Sequence, residues 1–127
     1  MTKPDTLALC LILASVLLGS VGQIVLKGGM ENAPPVTSGW ALASAFRSPA
    51  VLAGLACYVV ATLAWLVVLQ RVPVSFAYPM ISLNYIFVTL LAKYVHGEAV
   101  PSLRYLGLAL ILAGVAVIAR TPAPDPK

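Results

Sequence analysis

Long apolar stretches alternate with short polar segments along this chain. Four stretches, here numbered spans 1 to 4, cover about residues 6–26, 51–69, 74–95 and 103–119. A helix needs roughly 20 apolar residues to cross the hydrocarbon core, so the pattern predicts four transmembrane helices, and slight bilayer thinning accommodates the shorter span 4. The apolar residues are continuous and do not alternate with polar ones, which argues against membrane-spanning strands. We interpret span 1 as a retained helix, because its apolar run is long for a signal peptide.

The long connection between spans 1 and 2 contains residues that end helices. Gly28-Gly29 is predicted to stop span 1, and Pro34-Pro35 to prevent the helix from resuming. A short amphipathic helix is predicted after them, lying in the membrane interface with Trp40 at headgroup level. The helical spacing that predicts it is carried by Trp40, Leu42, Ala43 and Phe46.

The other connections are short. Arg71-Val72-Pro73 joins spans 2 and 3, which predicts a helical hairpin. After Arg120 every second residue from Pro122 to Pro126 is proline, so residues 121–127 are predicted to form a disordered tail. The remaining residues 1–120 are predicted to form a single transmembrane domain.

Composition and charge support a membrane protein. The chain is 61% hydrophobic and only 9% charged, too few charges to cover the surface of a soluble domain. The basic residues divide equally, with Lys3, Arg71, Arg120 and Lys127 on one predicted side and Lys27, Arg47, Lys93 and Arg104 on the other. The positive-inside rule therefore assigns no orientation, and the net charge of +4 indicates interfacial anchoring, not nucleic-acid binding. Cys10 and Cys57 are isolated within spans, so neither a metal site nor another cofactor is expected.

Polar residues at membrane depth are costly and so are candidates for function. Span 1 places Ser20, Gln23 and Lys27 on one helix face. Lys27 is either a snorkelling residue at the helix end or a ligand-binding cation, whereas an interhelical hydrogen bond is the favoured role for Gln23. A neighbouring face of small residues, Ser15, Gly19 and Gly22, predicts close helix packing.

Span 3 has the largest set of polar residues. Its polar and aromatic stripe lies within about 80° of the helix circumference and should face a cavity or a partner helix. The stripe consists of Tyr78, Ser82, Tyr85, Thr89 and Lys93. Pro79 frees a backbone carbonyl near Ser75 and predicts a bend there. Asn84 lies off the stripe, which favours a helix–helix hydrogen bond.

Spans 2 and 4 differ in their small and aromatic residues. Tyr58, Thr62 and Trp65 share one face of span 2, which we interpret mainly as an aromatic packing face. Span 4 contains no polar residue in its interior and carries a seam of small residues, the usual device for helix association in lipid. That seam, consisting of Gly107, Ala109, Ala113 and Gly114, makes span 4 the predicted dimerisation helix.

The absence of certain residue types excludes some classes of function. No Asp or Glu lies within the four spans, and Glu31 and Glu98 stand at their edges. A carboxylate-driven proton exchanger needs an acid in a desolvated site, so this class is disfavoured. The sequence carries no P-loop, nucleophile elbow or paired catalytic carboxylates, which argues against an enzyme. The single histidine, His96, is predicted to be solvated in a loop.

The segment from Leu69 to Asn84, read LQRVPVSFAYPMISLN, resembles the small four-helix members of the drug/metabolite transporter superfamily, the EamA and small multidrug resistance types. Within that superfamily the chain most resembles the aminoarabinose–phosphoundecaprenol flippase subunits. Glu98-Ala99-Val100 and the pattern from Gly22 to Lys27 also fit these subunits. The small multidrug resistance exporters depend on a glutamate in helix one, where this chain has Gly19 and Ser20.

The resemblance implies a dimeric transporter in the bacterial inner membrane, either a homodimer or a heterodimer with a similar small subunit. Spans 1 to 3 would enclose the substrate path, and span 4 would hold the dimer. The substrate would be a polyprenyl-phosphate carrying a sugar, with Lys27 and Lys93 binding its phosphate. The other candidate substrate-binding residues are Gln23, Trp65, Tyr78, Ser82, Asn84, Tyr85 and Glu98.

Two other functions remain open from the sequence. The chain could export small cationic compounds, which the absence of an embedded acid disfavours. It could also be a membrane subunit that recruits or stabilises a partner without transporting anything. Its sugar, energy source and orientation are not determined by the sequence.

Overall fold

Six α-helices make up the computed structural model, which describes residues 6–121. They are α1 (Thr6–Glu31), α2 (Gly39–Ala45), α3 (Pro49–Arg71), α4 (Val74–Ile81), α5 (Leu83–His96) and α6 (Ser102–Ala119). Four helices within this part of the chain are long and apolar enough to cross a membrane, with α4 and α5 together forming the third. This confirms the four predicted spans. The predicted tail beyond Thr121 lies outside the described residues.

Helix α1 continues past Gly28-Gly29 and ends at Glu31, so the predicted stop at these glycines is wrong. Tertiary packing offsets their cost, which is about 1 kcal/mol for each helical glycine. Gly29 packs so closely on α3 that a Cβ atom there would lie 2.8 Å from Val51 Cγ2. The helix ends where Asn32 donates its side-chain amide to the Gly28 carbonyl at 2.8 Å.

Small residues bring α1 and α3 into close contact. A Cβ atom on Gly54 of α3 would lie 2.8 Å from the Gly22 carbonyl oxygen of α1. Backbones can approach this closely only where neither helix carries a side chain at the crossing point. The predicted packing face that includes Gly22 is therefore confirmed, and Gly54 is its partner.

The predicted short helix in the first connection is confirmed as α2. Ser38 caps it, because the Ser38 side chain accepts a hydrogen bond from the Ala41 amide at 3.3 Å. Trp40 is 81% exposed, as a residue that anchors in headgroups would be. Its placement in the interface stays a prediction.

The third span is interrupted at Ser82, not bent near Ser75 as predicted. The Ser82 amide donates to the Pro79 carbonyl at 3.1 Å, and the Ser82 hydroxyl donates to the same oxygen. The Tyr85 amide then donates to the Ser82 carbonyl at 3.0 Å. These short-range bonds make one tight turn of 3₁₀ type, so the helix is reset one turn after the proline, not one turn before it.

Helix α6 packs least tightly of the four spanning helices. Its only buried residue is Val115, which joins an apolar cluster built from α1, α3 and α4. The other buried members of that cluster are Ala8, Ile12, Val16, Val68, Val72, Phe76, Ala77 and Met80. Helix α6 thus leaves most of its surface, including the predicted dimer seam, open to lipid or to another chain.

Candidate functional site

A cavity of about 170 Å³ lies between α1, α3 and the junction of α4 with α5. Gly19 and Ala61 line it and lie near the midpoints of their helices, so the cavity lies about halfway along two spanning helices. The two residues face each other with so little side chain that the helices leave space between them. The remaining lining residues are Ser15, Val16, Gln23, Tyr58, Thr62, Trp65, Ile81 and Asn84.

The lining of this cavity is mostly apolar, includes several neutral polar side chains and carries no charge. Ser15 donates its hydroxyl to the Ile12 carbonyl at 2.9 Å, and Thr62 donates to the Tyr58 carbonyl at 2.8 Å. These hydroxyls are satisfied within their own helices and retain acceptor lone pairs. Within residues 6–121, the Gln23 amide and the Trp65 indole N–H make no side-chain hydrogen bond to the protein, so both remain available as donors.

Asn84 joins α5 to α1 at the edge of the cavity. The Ser20 hydroxyl, which is completely buried, lies 2.6 Å from Asn84 Oδ1 and 2.7 Å from the Val16 carbonyl oxygen. A hydroxyl has one proton, so Ser20 donates to one of these oxygens at a time. The predicted helix–helix hydrogen bond of Asn84 is confirmed, and the same residue lines the cavity.

The aromatic face of span 2 forms a wall of the cavity, which corrects its interpretation as mainly a packing surface. The reason is the volume left by Gly19, whose Cβ position would lie 3.9 Å from Ala61 Cβ. Trp65 also packs on Tyr78 of α4, with the rings 6.1 Å apart and at 77°. Such an edge-to-face contact fixes the orientation of the indole.

The stripe predicted on span 3 does not face this cavity. Tyr78 and Tyr85 are 58% and 63% exposed, and the Ser82 hydroxyl is directed to its own helix. Ile81 and Asn84 line the cavity instead. Buried Ala77 on α4 and cavity-lining Asn84 on α5 are seven residues apart, so they lie on the same face of one helical wheel, and the inward face of span 3 is the mainly apolar face beside the stripe. A partner helix remains the predicted neighbour of the stripe.

Lys93 lies at the end of α5 and contacts α6. Its ammonium donates to the Tyr105 hydroxyl at 2.7 Å and stands 5.2 Å from the centre of that ring. The side chain is exposed and does not line the cavity. Tyr105 was not identified from the sequence, and its contact with Lys93 depends on how α5 and α6 pack.

A group of charged residues, here called the charged cluster, lies at the same membrane end. It consists of Lys27, Glu31, His96 and Glu98. The Lys27 ammonium pairs with the Glu98 carboxylate and lies 3.6 Å from Glu31 Oε1. His96 Nδ1 is 3.3 Å from Glu31 Oε2. The cluster ties the end of α1 to the segment that follows α5.

His96 is mostly buried, with 13% of its side chain exposed, so its prediction as a solvated loop residue is wrong. It is the last residue of α5, and its Nε2 lies 3.1 Å from the Ile24 carbonyl oxygen. Gly28 makes room for the ring, because a Cβ atom there would lie 3.3 Å from His96 Cε1. Within residues 6–121, no three His, Cys, Asp or Glu side chains are grouped as a metal site would require.

Four helices long and apolar enough to span a membrane surround an uncharged cavity that contains several neutral polar side chains, which is an arrangement compatible with a multi-pass transporter. Residues 37–120 match the EamA-like transporter family. The chain therefore belongs to this family, which confirms the resemblance seen in the sequence and assigns it to transporters, not to enzymes. No solved structure matches the chain.

The similar proteins are bacterial. The chain is 38% identical over 112 residues to the probable 4-amino-4-deoxy-L-arabinose-phosphoundecaprenol flippase subunit ArnE of Pseudomonas fluorescens, covering 88% of this chain and 96% of the relative. The ArnE subunit of Pseudomonas paraeruginosa is 43% identical over 118 residues, at 87% and 95% coverage. The flippase subunit ArnF of Photorhabdus laumondii is 38% identical over 117 residues, at 85% and 93% coverage. The chain is a multi-pass protein of a bacterial inner membrane.

Proposed function

We propose that this chain is one subunit of a flippase that carries aminoarabinose linked to undecaprenyl phosphate from the cytoplasmic to the periplasmic leaflet. The observation that carries the proposal is the uncharged cavity, lined in part by neutral polar side chains, about halfway along the spanning helices. It occurs in a chain that is similar over most of its length to subunits named for this substrate. The cavity receives the sugar, while the polyprenyl tail stays in lipid.

The chemistry of the cavity suits a sugar. Hydroxyl groups lose their hydrogen bonds to water when they enter the membrane, and the cost is large unless the protein replaces them. Gln23 and Trp65 offer donors, and Thr62 and Ser15 offer acceptor oxygens. The volume corresponds to about six water molecules at liquid density, which suits one sugar ring better than a longer glycan.

The phosphate is assigned to the basic residues at the end of α1 and α5. Lys27 follows Gln23 by one helical turn, about 6 Å along the axis, and lies on the same face. Lys93 lies at the same end and bonds to a neutral hydroxyl, so its charge remains available. Phosphate held at this end leaves the attached sugar pointing toward the cavity.

Tyr78, Ser82 and Tyr85 complete the proposed site from outside the described cavity. The exposed rings of Tyr78 and Tyr85 support contact with the substrate or with a partner helix at a subunit interface. The partner is proposed to be a second small subunit of similar fold. Nothing lies within 4 Å of the Cβ positions of Gly107 and Gly114 on α6, and Ala109 and Ala113 are exposed, which leaves the seam free for that partner.

Lipid translocation in vesicles tests the proposal. The chain is reconstituted alone and with a second subunit of the family, in vesicles that contain the aminosugar lipid. An amine-reactive reagent that cannot cross the membrane is then added from outside. Flipping exposes the whole lipid pool to the reagent, whereas protein-free vesicles expose only the outer leaflet. If neither preparation exceeds the protein-free vesicles, the proposed function is wrong.

A gain only with the second subunit identifies a heteromer, and a gain with the chain alone identifies a self-sufficient protein. Export of a small organic cation without lipid translocation would support the cation exporter instead. The cavity does not support export of small cations, because no carboxylate lines it.

A further inference from the structure

The charged cluster contains more carboxylate than cation. Lys27 faces both Glu98 and Glu31, while His96 contacts Glu31 and the Ile24 carbonyl. Binding of an anionic phosphate alone would account for Lys27 but not for the two carboxylates beside it. Lys27 and its carboxylates therefore need a common explanation.

A purely structural role explains the Lys27–Glu98 pair poorly. The Lys27 side chain is 41% exposed and that of Glu98 33%, and ion pairs of such exposure typically stabilise a protein by about 0–1 kcal/mol. The contacts between α1 and α3 already hold this end of α1, through Gly29 against Val51. Partial exposure instead leaves both charged groups within reach of a ligand.

The position of the pair relative to the cavity suggests which ligand. Gln23 lines the cavity, and Lys27 continues the same helix face one turn further out. A molecule whose sugar enters the cavity from this end therefore passes directly beside Lys27 and Glu98. The aminosugar lipid of the proposed function carries one ammonium and one phosphate diester, which are the charge complements of Glu98 and Lys27.

We infer that the Lys27–Glu98 ion pair exchanges partners with a zwitterionic lipid at the entrance, before the sugar moves into the cavity: Glu98 binds the sugar ammonium, and Lys27 binds the phosphate. This inference rests on the proposed function. In the empty protein the two residues neutralise each other, so neither charge is left unpaired. When the lipid binds, one internal pair is replaced by two pairs with the ligand. Glu98 thereby determines specificity for a charged amine.

A lipid-linked sugar without an amine can bind Lys27 through its phosphate but offers no cation to Glu98. Its phosphate separates Lys27 from Glu98 and leaves the carboxylate without a cation. The wild-type protein should therefore move the amino lipid about tenfold faster than its N-acetylated counterpart, the size expected for one lost charge-assisted hydrogen bond.

The test compares these two lipids in vesicles. Periodate added from outside cleaves the vicinal diol of both sugars and also the amino alcohol of the amino lipid, so the oxidised fraction of each lipid is scaled to its own total in detergent and to protein-free vesicles. Glu98→Gln should abolish the preference for the amino lipid, and Glu98→Asp, which keeps the carboxylate, should retain it. Lys27→Gln should slow both lipids to a similar degree, because both carry the phosphate.

The outcomes separate the two proposals. Wild-type protein that moves neither lipid overturns the proposed function. Equal transport of both lipids by the wild type, or a preference that survives in Glu98→Gln, overturns the partner exchange and leaves the proposed function standing. If Glu98→Gln does not accumulate as folded protein, the double variant Lys27→Gln/Glu98→Gln decides. It removes both charges and so leaves neither unpaired, and a retained preference for the amine would contradict the inference.

Discussion

The cavity at mid-membrane and the charged cluster at the end of α1 use opposite kinds of polar residue. The cavity is lined by hydroxyl, amide and indole groups without a formal charge, whereas every member of the charged cluster is ionisable. A charge at the bilayer centre costs several kcal/mol, and this cost falls toward the headgroups. The comparison shows how a small chain can divide recognition by depth, with neutral contacts for the sugar deep in the membrane and charged contacts near its surface.

A charge placed in the cavity, where all contacts are neutral, should have the largest effect on transport. Asn84→Asp keeps the shape of the side chain and an acceptor for Ser20 but adds a carboxylate at mid-membrane. We expect a loss of transport of about 100-fold, corresponding to roughly 3 kcal/mol for an acid at the centre of the bilayer. Initial rates of lipid translocation measure the effect. Asn84→Ala is the neutral control and should lose less, so equal losses would show that charge is not the cause.

Displacing α1 should disturb the cavity and the charged cluster together. Gly54→Ala places a Cβ atom 2.8 Å from the Gly22 carbonyl oxygen, whereas Gly39→Ala meets nothing within 4 Å. We expect the first substitution to destabilise the protein by about 1–3 kcal/mol and the second to have little effect. Thermal unfolding in detergent measures both. Equal unfolding temperatures would contradict the close α1–α3 contact.

Removing one neutral donor should affect the cavity alone. Trp65→Phe deletes the indole N–H and keeps an aromatic ring against Tyr78. Loss of one neutral hydrogen bond to the sugar should slow transport about fivefold, and the preference for the amino lipid over the N-acetylated lipid should not change. Rates for both lipids test this. A change in the preference would show that cavity and charged cluster are not separate in function.

The smallest effect is expected at Lys93, which stands outside both regions. Lys93→Gln removes a solvent-exposed cation that bonds to Tyr105, and exposed charge interactions are worth about 0.2–1 kcal/mol. Transport should fall about two- to threefold, more at low salt than at high salt, because salt screens an exposed charge. Lys93→Arg should preserve the rate. A salt-independent loss would indicate a structural role for the contact with Tyr105.

Local signals in the sequence were sufficient for much of the fold. The four spans, α2 and the close packing at Gly22 follow from hydropathy, helical spacing and residue size, which act within a single helix. The end of α1 could not be predicted from such local signals. Gly28-Gly29 has a low intrinsic helix propensity, but Val51 and His96 supply contacts that only the assembled helices provide.

The candidate site was harder to predict from the sequence, because it depends on contacts between residues that are far apart in the chain. Gln23 and Asn84 were identified as polar groups in apolar surroundings and Trp65 as part of an aromatic face, and all three line the cavity. Tyr58 and Thr62 share a face with Trp65, yet a packing face and a cavity wall have the same periodicity. The approach of Glu98 to Lys27 depends on the course of the chain after α5, which no local pattern specifies.

Substrate protection of a single cysteine would test most directly whether the sugar occupies the cavity. Thr62→Cys is introduced with Cys10 and Cys57 replaced by alanine, and Thr121→Cys in the same background serves as the control outside the cavity. Both are treated with a small thiol reagent, with and without the aminosugar lipid. The account predicts that the lipid slows labelling at position 62 and leaves position 121 unchanged. Labelling at position 62 that proceeds at the same rate with the lipid present would contradict it.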